Sequence, residues 1–281
     1  ASLGEGQALL FGGYDGVYGR DDTWAYDLGT NTWTNQVPVA APSSRWSHAM
    51  GYVGGTQVVL FGGWDGAEDG ETWLYDLSGN TWTQQATGSS PAARHKHGMA
   101  PLGGDQALLF GGSIGDAFQA DTWLYDRGAG NWTNKTPATA PPARGSHAMA
   151  YLGGDQVLLF GGLNGSGYYG DTWVYDLDAN TWTNQDPAGA PGPRAGHAMV
   201  YLGEGRVLLF GGLGNSSRFG DTWVYDLSAN SWTLQTTVAA PSARSSHAMA
   251  SLGEDQVLLF GGTVGSGLYD RETWLATGFN S

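Results

Sequence analysis

Apolar positions in this chain fall in short runs, not in long amphipathic stripes. The clearest run, Gln7-Ala-Leu-Leu-Phe-Gly-Gly13, returns closing on Phe61, Phe110, Phe160, Phe210 and Phe260, each followed by Gly-Gly. Consecutive Phe residues lie 50, 49, 50, 50 and 50 positions apart. A fixed period of this size marks one supersecondary unit stacked on copies of itself. The copy from Arg194 to Gln235 shows the whole unit. His197-Ala-Met-Val-Tyr-Leu precedes the run Arg206-Val-Leu-Leu-Phe, and Asp221-Thr-Trp-Val-Tyr-Asp and Asn230-Ser-Trp-Thr-Leu-Gln follow it. These segments are rich in β-branched and aromatic residues and are separated by Gly, Asn and Asp turn signals, so they predict four strands, a to d. None has the length or the 3.6-residue period of a helix.

Four antiparallel strands repeated around an axis make an all-β fold, a six-bladed β-propeller. One domain is expected over residues 1–281, with b strands centred near 11, 61, 110, 160, 210 and 260. Two Trp series and the Phe series should pack between blades: Trp24, Trp73, Trp123, Trp173, Trp223 and Trp274, then Trp33, Trp82, Trp132, Trp182 and Trp232. Asn31, Asn80, Asn180 and Asn230 stand two residues before a Trp of the second series, and Gly130 takes that place in the third copy. Asn and Gly best tolerate the left-handed region, so the exchange predicts a turn residue with positive φ.

The Gly-Gly, Tyr-Asp and Asn-x-Trp signatures at matching offsets, with the period near 50, resemble the Kelch-repeat family over almost the whole chain. In Kelch domains that capture acidic peptides, some arginines at the position three residues before the strand-a His face the binding mouth. The resemblance therefore makes Arg45, Arg94, Arg144, Arg194 and Arg244 candidates for an acidic ligand. A carboxylate opens strand c in every copy (Asp22, Glu71, Asp121, Asp171, Asp221, Glu272), and one Arg per carboxylate around a ring favours structural ion pairs instead. Kelch-like enzymes offer less. The copper oxidases need a Cys–Tyr cross-link, and this chain has no Cys. The iron motif of the nitrile-specifier proteins is absent around every His, and no distinctive motif links the chain to the sialic-acid mutarotases.

Composition narrows the partners. Twelve Lys plus Arg against 26 Asp plus Glu give a net charge of −14, which disfavours nucleic acid and anionic membrane surfaces. No apolar run reaches membrane-spanning length, so no membrane insertion is expected. Without Cys there are no disulfides and no thiolate metal site. Asp65, Glu68, Asp69 and Glu71 form an acidic cluster without an EF-hand pattern, and it reads as an exposed acidic loop. The His ring reads as structural, so no metal and no cofactor are expected. Four Asn-x-Ser/Thr sequences, at Asn131, Asn134, Asn164 and Asn215, permit glycosylation and favour a secreted or cell-surface setting.

Residues 1–5 repeat residues 250–254, so the chain enters at the close of a strand a, and Thr273-Trp-Leu opens a strand c with no strand d after it. The first and last blades are thus expected to be incomplete, the chain an excerpt of a longer protein, and the seam a place for self-association. Up-and-down connectivity puts the d-to-a and b-to-c connections at one mouth. The b-to-c loops are the most variable segments, and variable loops on a rigid scaffold are where recognition is placed. Outside the template, the aromatic and basic residues of this mouth are Tyr14, Tyr18, Arg20, Trp46, Trp64, His95, Phe118, Tyr168, Tyr169, Arg218, Phe219, Tyr269 and Arg271. Tyr, Trp and Arg dominate binding hot spots. The expectation is a non-catalytic recognition or scaffold module for a protein or peptide, within a larger extracellular or surface protein. A glycan-binding lectin and a sugar-modifying enzyme are the competing readings.

Overall fold

A computed structural model describes residues 1–236, 240–253, 255–265 and 267–279. Among them there is no helix, and strands a to d pair in sequence order within each repeat. The first blade holds Ser2–Gly4, Gln7–Tyr14, Gly19–Asp27 and Thr32–Asn35; the second holds Ala49–Tyr52, Gln57–Phe61, Thr72–Asp76 and Thr81–Gln84. The third runs Gly98–Pro101, Gln106–Phe110, Thr122–Asp126 and Asn131–Asn134, and the fourth Ala148–Gly153, Gln156–Phe160, Thr172–Asp176 and Thr181–Asn184. The fifth comprises Ala198–Gly203, Arg206–Phe210, Thr222–Asp226 and Ser231–Gln235, and the last Ala248–Gly253, Gln256–Phe260 and Thr273–Ala276. Among the described residues the strands within each blade pair antiparallel; in the third blade, for example, Leu108 stands opposite both Ala100 and Leu124. The molecule is a β-propeller.

On one side of the seam the close of a strand a is enough to form a strand. Ala1 and Leu9 exchange two backbone hydrogen bonds of 2.8 Å, and Ser2 pairs with Ala8, so the first sheet does carry four strands, its inner one only three residues long. The last sheet has three among the described residues. First and last blades pack on each other. The Trp33 Nε1 donates to Thr273 Oγ1 at 3.0 Å, and the Ser2 hydroxyl donates to the Ser251 carbonyl at 2.6 Å.

Apolar cores lie between neighbouring blades. Each b strand is buried on both sides because sheets flank it, which is why its apolar run does not alternate; Val58, Val59, Leu60 and Phe61 are all fully buried. Strand-d indoles stand edge-on to the preceding blade's b-strand Phe, as Trp132 does to Phe61 at 5.1 Å. Such pairs contribute about 0.5–1.5 kcal/mol beyond area burial. The c-to-d turn is left-handed as the Asn/Gly exchange implies: φ is +53° at Asn31, +48° at Asn80, +50° at Asn180, +44° at Asn230 and +61° at Gly130. Asn also accepts a hydrogen bond from the strand-c tyrosine, at 2.7–3.0 Å in four blades. Where Gly130 replaces it, the Tyr125 hydroxyl is buried without a partner. The Gly-Gly pair has a steric cause: a Cβ on Gly62 would lie 2.6 Å from the Arg94 carbonyl oxygen.

Candidate functional site

At one mouth, each d-to-a connection pairs with the b-to-c loop of its own blade. Trp46 and Trp64 exchange backbone hydrogen bonds of 3.1 and 2.9 Å, and the same two-way bond joins His95 to Ser113, Gly145 to Leu163 and Ala195 to Leu213. Consecutive connections are also linked from blade to blade. Lys96 N donates to Ser47 O, Ser146 N to Lys96 O, Gly196 N to Ser146 O and Ser246 N to Gly196 O, at 2.7–2.9 Å. All five of these residues have φ between +55° and +64°.

Beneath this lip lies the arginine ring. All five guanidiniums are buried, at 0–1% exposure, and each meets the strand-c carboxylate of its own blade. Arg94, Arg144 and Arg194 bind Asp121, Asp171 and Asp221 through both oxygens at 2.6–2.9 Å. Arg45 meets Glu71 at 2.9 Å and Asp69 at 3.3 Å, and Arg244 meets Asp270 at 2.9 Å. The strand-c Trp Nε1 donates to the same carboxylate, at 2.7 Å for Trp123, Trp173 and Trp223. Burial pushes Asp121, Asp171 and Asp221 upward, but their arginines outweigh it and hold them below the usual carboxylate range. This placement inside the blades departs from the mouth-facing ring that the resemblance implies.

Two loop aromatics belong to the same construction. Tyr169 lies over the Arg144 guanidinium at 3.9 Å, and Phe219 over Arg194 at 4.0 Å. They cover the ion pairs of the fourth and fifth blades. Arg218 is tied to the last blade through Ser245 Oγ at 3.2 Å and the Gly265 carbonyl at 2.5 Å, and Arg20 pairs with Asp15. Tyr18 and Arg271 are exposed, and Tyr168 is half-buried.

The remaining aromatics converge on the second and third blades. Trp46, Trp64, His95 and Phe118 line a cavity of about 440 Å³ with Glu68, Lys96, Ser113 and Asp116 on its wall. The His95 imidazole meets the Trp64 ring edge-on at 5.2 Å. Glu68 spans the two loops, accepting from the Gly115 amide at 2.9 Å, so the acidic loop contributes one wall of the cavity. Burial, and then Lys96, lower the His95 pKa against the opposing pull of Glu68, which leaves the ring neutral at pH 7. The aromatic arc continues outward, Tyr14 packing on Trp46 at 5.1 Å and on Tyr269 at 5.4 Å, across the first and last blades. Lys96 and Asp116 were not among the sequence candidates, and Glu68 was read only as part of an exposed acidic loop. Their signal was adjacency to Trp64, His95 and Phe118 in loops already singled out.

The histidine ring lies deeper and faces the blade interfaces. His48, His97, His147, His197 and His247 each stand edge-on to the preceding blade's Phe at 5.5–5.7 Å. No group of three or more His, Cys, Asp or Glu among the described residues has metal-binding geometry. A family model described as the KLHDC2/KLHL20/DRC7 Kelch-repeats domain matches residues 1–203 and again residues 102–276. The chain belongs to the Kelch-repeat family. The two matches overlap because the unit repeats, and together they cover every blade. No curated protein matches the chain. Its Kelch repeats carry the template rings, whereas the cavity of the second and third blades is individual to their loops. Among the described residues no helix is long and apolar enough to cross a membrane.

Proposed function

We propose that this Kelch domain is a non-catalytic scaffold that captures a protein or peptide at the loop-bearing mouth, with the cavity of the second and third blades as its anchor pocket. Membership of a family of protein-binding domains supports the coarse reading. The finer one rests on a single observation: Trp46, Trp64, His95 and Phe118, all departures from the repeat template, meet around one cavity that two adjacent loops build. Aromatic faces supply contact area at low entropic cost, while Glu68, Asp116 and Lys96 at the rim fix orientation. The exposed sequon residues Asn134 and Asn215 support a secreted or cell-surface setting, checked by mass spectrometry of protein from a secreting host.

Panning a displayed peptide library against the 281-residue chain tests the reading. Binders should lose at least tenfold in affinity against both Trp64→Ala and Phe118→Ala. Binders indifferent to both substitutions would displace the site from this cavity. Selective capture of sugars on a glycan array, lost in the same variants, would make the module a lectin.

A further inference from the structure

Within its own blades the chain holds a guanidinium in one characteristic way. In the fourth and fifth blades the cation meets both a b-to-c loop aromatic and a strand-c carboxylate. Arg144 has Tyr169 at 3.9 Å and Asp171 at 2.6 Å, and Arg194 has Phe219 at 4.0 Å and Asp221 at 2.6 Å. A planar, weakly hydrated cation gains from both at once, its face on the ring and its N–H fork on the carboxylate.

Aromatic faces and carboxylates come together again around the cavity of the second and third blades. Trp46, Trp64, His95 and Phe118 supply the rings, and Glu68 and Asp116 the carboxylates. The rings are held from behind. Trp46 rests on Gly19, where a Cβ would lie 3.1 Å from its Cε3, and Phe118 on Gly145, where one would lie 3.0 Å from its Cε1. Trp64 is fixed by its two backbone bonds to Trp46 and by its edge-on contact with His95. Glu68 is fixed as well, its Oε1 accepting the Gly115 amide at 2.9 Å. The same oxygen stands 3.7 Å from His95 Nδ1, which is buried without a hydrogen-bond partner among the described residues and in a neutral ring can accept.

Charge points the same way. Two carboxylates line the wall against one ammonium, that of Lys96, and Lys96 is exposed, so solvent screens it. An acidic side chain entering here would meet Glu68 and Asp116 as like charges. The buried arginine ring offers no alternative to it, because each of those guanidiniums already holds a carboxylate of its own blade.

We propose that the cavity selects an arginine side chain of the captured peptide, an assignment that rests on the reading of this mouth as a peptide-binding site. The incoming guanidinium stacks on the aromatic faces and donates to Glu68 and Asp116, repeating from outside what Arg144 and Arg194 do within their blades. The cavity offers two parts of that arrangement already in place, and the ligand brings the third.

Peptides panned from a displayed nonapeptide library on the 281-residue chain, and dependent on both Trp64 and Phe118, are resynthesised with fluorescein and measured by anisotropy. They should share an arginine. Replacing it by citrulline, which keeps the shape and removes the charge, should weaken binding at least ~10-fold. Glu68→Gln and Asp116→Asn should each cost ~3- to 10-fold, whereas Lys96→Gln should tighten binding ~2- to 3-fold. Because the decisive change lies in the peptide, misfolding of a variant cannot mimic the result. Cavity-dependent binders that share no arginine, or that bind equally well with citrulline, would overturn the arginine assignment and leave peptide capture standing. An empty selection, or binders indifferent to Trp64→Ala and Phe118→Ala, would overturn both.

Discussion

The loops of the second and third blades and those of the fourth and fifth are built on one template and use their aromatics in opposite ways. In the fourth and fifth, Tyr169 and Phe219 turn inward and lie on Arg144 and Arg194. At the matching position the second blade has Asp69, which meets Arg45 directly, and the third has Gln119, so Trp64 and Phe118 remain for the cavity wall. The residue two places before the strand-c carboxylate thus separates loops whose aromatic seals their own ion pair from loops whose aromatics line the cavity. An aromatic in a variable loop is therefore not by itself a binding residue.

The largest expected effect acts on the shared template and so separates it from the loops. Burial, and then the neighbouring arginine, hold His48, His97, His197 and His247 down at about 3, and His147 well below its ordinary value. Unfolding lets these rings protonate near 6.5, so between the two values the unfolded chain binds more protons and stability falls as pH falls. The loss is about 1.4 kcal/mol per histidine for each pH unit below 6.5. Thermal melts from pH 7.5 to 5 should show it, and a flat profile would show that these rings stay solvated.

Next in size, Arg194→Ala leaves Asp221 partly buried beside Trp223 without its cation and should cost about 3–5 kcal/mol in chemical denaturation. Removing the cover instead of the cation should cost less. Phe219→Ala is expected to lose about 1–3 kcal/mol, cation–π contact included, with no change in the affinity of a mouth-bound peptide. Trp64→Ala should show the reverse: roughly 1 kcal/mol of stability and most of the binding. If Phe219→Ala weakens peptide binding as much as Trp64→Ala does, the contrast between the two pairs of loops fails. The smallest effect concerns the third blade alone. Gly130→Asn supplies the acceptor that Tyr125 lacks while keeping a left-handed turn, and should stabilise by about 0.5–1.5 kcal/mol. A calorimetric midpoint unchanged or lowered would show that Tyr125 is already satisfied.

Most of the scaffold could be read from the repeat, because a template repeated at a fixed period reports packing and turn geometry several times over. The Asn/Gly alternation in the c-to-d turn and the one-to-one match of Arg with carboxylate are examples. The mouth was less legible. Tyr168 and Tyr169 are neighbours in one loop, yet only Tyr169 stacks on Arg144, and side-chain direction in an irregular loop leaves no periodic trace. The first blade's short inner strand was legible as the close of a strand a, because residues 1–5 repeat residues 250–254. Glu68 read only as a member of an exposed acidic loop because its partner, the Gly115 amide, lies 47 residues away in another blade.

The blade-to-blade chain of amide and carbonyl bonds through Ser47, Lys96, Ser146, Gly196 and Ser246 ties the second to last blades into one arc along the entrance. None of these five blades can swing outward without parting at least one of these bonds. Exchange of a loop tip leaves this arc intact, whereas spreading the blades apart has to break backbone hydrogen bonds.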